Sequence, residues 1–183
     1  MPNYNKTIND TCVRLGEVRF SYCKLFKPAA DKNGKLKYSV AVLIPKKDKA
    51  TIAMAEAAID AAMQLGKDKK WGGRIPAKCG SPLRDGDEER PDDENYEGMM
   101  FFNCSSERKP GVCILENGSV VEALDEEDVY SGCWGCVTVN FFPYDSSGNR
   151  GVGAGLNNVI KTRDGDRLSG GTSAASDFAD LND

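Results

Sequence analysis

The sequence predicts a mainly β fold with one α-helix, and three observations carry that prediction. Apolar and polar residues alternate with period two in several segments, most clearly around 12–26 and 129–145. One alanine-rich stretch, 48–66, switches to helical spacing. Turn chemistry such as Asn33-Gly34 separates strand candidates at hairpin distance.

Taken in order, CVRLGEVRFSYCKLF (12–26) alternates around Val18, Phe20 and Tyr22 and reads as a strand. DKNG (31–34) is a turn, and KLKYSVAVLIP (35–45) is a second strand that Pro45 ends. In 48–66, Ile52, Ala55, Ile59 and Met63 share one helical face; Asp48 suits the N-cap and Gly66 the stop. Residues 67–98 have no sustained period and many turn residues, so they read as a long irregular surface excursion. MMFFNCSS (99–106), GVCIL (111–115), 129–145 and 151–164 supply four more strands. In 129–145, Val137, Val139 and Phe141 fall on one face, with Trp134, Asn140, Phe142 and Tyr144 on the other. Strands, one helix and an irregular insertion in a chain of 183 residues predict an OB-fold-like antiparallel β-barrel. Residues 1–166 form the domain; 167–183, rich in small and acidic residues, read as a flexible linker and acidic tail.

The formal net charge of −4 speaks against a nucleic-acid partner until its distribution is considered. Residues 1–49 hold eleven bases against four acids, whereas acid gathers in 84–97, in 122–130 and in the tail. Seven scattered cysteines, with no apolar signal core at the start, suit a reducing interior. No segment has the roughly 18 apolar residues of a membrane span, so no membrane partner is expected.

Motifs of chemistry are sparse. Cys133 and Cys136 have chelating spacing, but zinc needs two more ligands and the chain has no histidine or second pair of this kind. The glycine run 151–155 lacks the Lys-Ser/Thr of a phosphate loop and reads as a bulge or a close backbone approach. The acidic run 85–94, including Asp85 and Asp87, could serve a metal-dependent nuclease, yet all its carboxylates sit in one loop. No cofactor, metal or catalytic residue is therefore expected. An acidic protein–protein adaptor or DNA mimic stays open as a further alternative.

What remains is aromatic rings interleaved with cations, the chemistry of single-strand binding: cations track phosphates and rings stack on bases. The candidates are Arg19, Tyr22, Lys24, Lys35, Lys37, Tyr38, Lys69, Lys70, Trp71, Arg74, Trp134, Tyr144 and Arg150. Trp71 stands foremost, because Lys67, Lys69, Lys70 and Arg74 surround it in sequence. In the tail, Asp177, Phe178, Asp180, Leu181 and Asp183 form a candidate recognition peptide, acids for a basic patch and two apolar side chains for a pocket.

The stretches VRFSYCKLFKP, KYSVAVLIPK, PLRDGDEERPDDENYEGMMFFNCSS, VYSGCWGCVTVNFFPYD and NRGVGAGLNNVIKTRDGDRLSG, with the DF of the tail, resemble a family of phage-encoded single-stranded-DNA-binding proteins. The resemblance implies an OB-fold, binding of single-stranded DNA, no catalysis, and an acidic tail that contacts replication or recombination proteins. It also implies the cytoplasm of an infected bacterium as the place of action. Self-association is left open.

Overall fold

In the computed structural model, which describes residues 3–146, 148–168 and 179–181, the front alternation becomes a 19-residue strand. In chain order the elements are β1 (Lys6–Thr7), β2 (Cys12–Ala30), β3 (Leu36–Pro45), α1 (Lys49–Lys69), β4 (Arg84–Asp85), α2 (Gly86–Glu89), β5 (Met99–Ser106), β6 (Gly111–Glu116), β7 (Ser119–Glu122), β8 (Trp134–Ser146) and β9 (Asn149–Arg163). Short 3₁₀ turns lie at Glu94–Tyr96, Glu126–Asp128 and Ala179–Leu181.

The sheet runs β4-β5-β3-β2-β8-β9-β6-β7, and a second pairing, β5 with β9, closes it. That pairing is parallel at Ser105 and Gly155, so β2, β3, β5, β8 and β9 form a closed five-stranded barrel. Long β2 allows the closure: its first half pairs with β8 and its second with β3, its register breaking twice against β3 and once against β8. A mainly β OB-type barrel with one main helix is the fold the alternation predicts. The interior is filled from alternate positions, among them Leu15, Val18, Phe20, Val40, Val42, Phe102, Val137, Val139 and Phe141. Phe102 and Phe141 meet edge to face at 5.6 Å.

Helix α1 lies against β2 and β8, burying Thr51, Ala55, Ala58, Ile59, Ala62 and Gly66. Asp48 caps it, its carboxylate accepting from Thr51 N at 3.2 Å and Thr51 Oγ1 at 2.7 Å. Gly66 is not the stop that its residue type suggests. The helix continues to Lys69, and Gly66 sits on its buried face, where a Cβ would come within 2.7 Å of Pro143 Cβ and of the Trp71 ring. Glycine here makes room for a side chain rather than for a backbone turn.

The excursion after α1 is also more organised than its lack of period implies. It contributes β4 and α2, then folds back so that Tyr96 covers Ala41, Leu43 and Phe101 on the outward face of β3 and β5. Tyr96 meets Phe101 edge-on at 4.9 Å. The strand expected over 129–145 begins only at Trp134, and β7 extends the sheet beyond the strands the sequence suggests.

Candidate nucleic-acid interface

One row of residues crosses the outward surface of six strands. Arg163 of β9 is opposite Trp134 of β8, which is opposite Arg19 of β2; the row continues through Leu43 of β3 and Phe101 of β5 to Arg84 of β4. Neighbours directly across strands stand close enough for side chains to interact, and here they do. The guanidinium carbons of Arg163 and Arg19 lie 4.4 Å and 5.6 Å from the Trp134 ring centroid. Arg19 is aimed by two carbonyl oxygens, Gly132 O at 3.0 Å and Asp166 O at 2.9 Å, and makes no ion pair among the described residues. Arg163 pairs with Glu17.

Tyr22 is 49% exposed and has a backbone φ of +49°, at the irregularity where β2 shifts register against β3. The shift sets Lys24 opposite Ser39, which is opposite Ser105, so a second outward row is polar, with Lys24 exposed and the two serines half-buried. Between these rows Tyr96 and Arg90 close off the face, Arg90 lying 5.2 Å from the Tyr96 ring. The result is a strip of Arg163, Trp134, Arg19, Tyr22 and Lys24, bordered by the acidic insertion. Its chemistry is cations that can track a phosphodiester beside one exposed ring, Tyr22, and one half-buried ring, Trp134.

The other candidates separate from this strip. Lys35 and Lys37, near the β2–β3 turn, are paired with Glu107 and Asp31. The hydrogen bond to Glu107 raises the Lys35 pKa and lowers that of the carboxyl. Tyr38 shares the register parity of inward Val40 and Val42 and is half-buried at the strand's end. Lys69, the last residue of α1, and Lys70 and Arg74 beyond it are exposed, without ion pairs among the described residues. Tyr144 and Arg150 lie on the β8–β9 hairpin, Arg150 paired with Asp145 at 3.2 Å.

Trp71 overturns its expectation. It is 5% exposed and belongs to the main core cluster. Its ring packs on Gly66 and its Nε1 donates to Tyr144 O at 3.1 Å, while the surrounding lysines point to water. A ring so held offers no face to a base. Phe142, by contrast, is 41% exposed and packs its ring across Gly153. Glycines on β9 also admit a neighbouring backbone: a Cβ on Gly151 would sit 2.8 Å from Gly80 O.

Arg163 and Arg90 were absent from the sequence's candidates, since only strand register and insertion packing bring them to the strip. So was Tyr130, whose ring has Arg167 at 4.5 Å and Lys161 at 5.6 Å. Ordered contacts persist to Leu168, whose N donates to Ser131 O at 3.1 Å. Leu168 therefore lies beside the strip. Asp180 and Leu181 are exposed, Leu181 by 72%. Asp177, Phe178 and Asp183 lie outside the described residues.

The alternative chemistries have specific counter-observations. Lys46 bridges Asp85 at 2.7 Å and Asp87 at 2.6 Å, and both carboxylates also accept backbone N–H groups, from Asp87 and Gly98. They are spent on folding the insertion. Cys133 and Cys136 are buried, and burial pushes the Cys136 thiol up to about 11.

A family profile described as Enterobacter phage Enc34 ssDNA-binding protein matches residues 11–183. Protein p50 of Acyrthosiphon pisum secondary endosymbiont phage 1 is 34% identical over 180 residues, 92% of this chain and 93% of that protein. Among solved structures, the single-stranded DNA-binding protein of bacteriophage Enc34 in complex with ssDNA superposes with a TM-score of 0.75. It is 24% identical, over 90% of this chain and 96% of that one. The bacteriophage T7 single-stranded DNA binding protein gp2.5 has a TM-score of 0.57 and 16% identity, over 98% and 96% of the two chains.

Proposed function

The chain belongs to the Enterobacter phage Enc34 ssDNA-binding protein family, whose members are non-catalytic, and from that premise we propose that it binds single-stranded DNA along the Arg163–Trp134–Arg19–Tyr22–Lys24 strip. The observation that carries this reading is Trp134 set between two arginines on the outward row of the barrel. Phosphates would track Arg19, Arg163 and Lys24, and bases would stack on Trp134 and Tyr22. Such contacts read the backbone and the flat face common to all bases, so binding is largely independent of sequence.

The setting is phage DNA replication or recombination, in the cytoplasm of an infected bacterium. The acidic tail recruits replication or recombination proteins, its carboxylates meeting a basic patch and Phe178 and Leu181 an apolar pocket. Tethered next to the strip through Leu168, the tail also competes with DNA for the strip's cations, because tethering gives it a high local concentration.

The test is fluorescence anisotropy with labelled oligo-dT and duplex of equal length across a salt series. Tight binding to the single strand that weakens as salt rises supports the reading. Absent or salt-independent binding, or equal affinity for duplex, defeats it.

A further inference from the structure

A cleft of about 700 Å³ opens beyond Trp134 and Arg163, between them, the first residues of the chain and the start of α1. Tyr4, Pro45 and Ala50 give it an apolar lining, and Lys47 stands exposed at its rim. Its walls are fixed by their own hydrogen bonds. Asn5 Nδ2 donates to Thr51 Oγ1 at 2.8 Å, and Asn5 Oδ1 accepts from Gly16 N at 3.0 Å. Both acids that line it are already engaged: Glu17 by Thr162 and Arg163, Asp48 by the helix cap. Lys47 has no ion pair among the described residues, and no acidic residue lies in the first turn of α1. The Asp48 carboxylate meets the positive end of the helix dipole and Glu17 pairs with Arg163, which leaves Lys47 as the cleft's cation without an ion pair among the described residues.

We infer that this cleft is a nucleotide subsite, in which a base of the bound strand enters between Tyr4 and Trp134 while its phosphate meets Lys47. The inference rests on the function proposed above, and two features choose the occupant. Trp134 and Arg163 belong to both the strip and the cleft, so a strand on the strip reaches the cleft without a gap. The apolar lining with cations at the rim complements a flat base joined to an anion. A wholly polar acidic peptide lacks the former and a wholly apolar peptide the latter. The chain's own tail carries both, and a cleft that takes the tail in place of a base leaves oligo-dT binding unaffected by substitutions at Lys47 and Ala50.

The experiment uses the full chain and labelled oligo-dT of about 4 and about 16 nucleotides, the span of site sizes for a single OB-fold. Lys47→Ala removes the cation, and Ala50→Phe fills the cleft from an exposed position of the helix. Each variant is expected to bind the long oligonucleotide roughly tenfold more weakly and the short one nearly as the wild type does. Lys47→Ala should also lower the salt slope by about one phosphate contact. Equal losses at both lengths, or no loss with either variant, overturn the subsite. If the wild type binds neither oligonucleotide, the function proposed above falls and the subsite with it; wild-type binding with unaffected variants removes the subsite alone.

Discussion

The indole of Trp71 occupies the space that a side chain on Gly66 would need, a Cβ there falling 2.7 Å from the ring. Two residues five apart in sequence thereby lock the end of α1 against β8, through Pro143 and the Trp71 bond to Tyr144. Gly66→Ala is expected to destabilise the fold by about 1–3 kcal/mol, although alanine is the better helix former. Urea denaturation measures it, and a neutral or stabilising result contradicts the packing described.

The two tryptophans are expected to separate stability from binding. Trp134→Ala should weaken oligo-dT binding by about 1–3 kcal/mol, the worth of one stacked base, with little change in melting temperature. Trp71→Phe should lower the melting temperature, through the lost Nε1 bond to Tyr144 and lost ring volume, with near-normal affinity. The reverse pattern would return Trp71 to the interface.

Lys46 ties the insertion to the barrel edge through Asp85 and Asp87, and its hydrogen bonds lower both carboxyl pKa values from 3.8. A lowered carboxyl pKa stabilises the fold above the ordinary value, and that contribution disappears as pH falls through the folded-state value. Thermal unfolding of the wild type should therefore lose stability below about pH 4. Lys46→Met should lose stability near neutrality and show a shallower acid limb. An unchanged acid limb would show that the bridge makes no contribution.

The CWGC thiols are expected to be inert in the folded protein. Burial pushes Cys23 up to about 12 and Cys136 up to about 11, and it raises Cys133 and Cys104 as well. At pH 8 a thiol with a pKa near 11 is about a thousandth ionised. A thiol reagent followed by mass spectrometry should label Cys79 and Cys113 first, both partly exposed. Rapid labelling of Cys133 or Cys136 would reopen a redox or metal role.

Deletion from Asp177 onward should tighten oligo-dT binding severalfold at low salt, with the difference fading as salt screens the competing charges. The same deletion should abolish pull-down of a replication or recombination protein from infected cells. Unchanged DNA affinity rejects the competition, and a retained partner contact rejects the recruitment.

Much of the barrel was legible because strands and helices write their burial into local period. Val137, Val139 and Phe141 on one face, and an alanine-rich helix behind Asp48, need no knowledge of distant residues. Arg19, Tyr22, Lys24 and Trp134 could be named from composition, whereas Arg163 could not, because only the β8–β9 register sets it opposite Trp134. Gly66 and Trp71 misled because each was read against its sequence neighbours. Four bases flank Trp71 along the chain, yet a side chain has one direction, and this ring turns toward Gly66 and the core while its neighbours turn to water.

The sequence by itself determined the class of fold, the near absence of catalytic machinery, and aromatic and cationic side chains suited to a single strand. Tertiary structure decided which of them stand together. The row from Arg163 through Trp134 to Arg19 joins residues more than a hundred positions apart. It depends on the register shifts of β2 and on barrel closure between Ser105 and Gly155. Register is a long-range property, set by how inward side chains fill one shared core, and a one-residue slip would turn every outward residue of a strand inward.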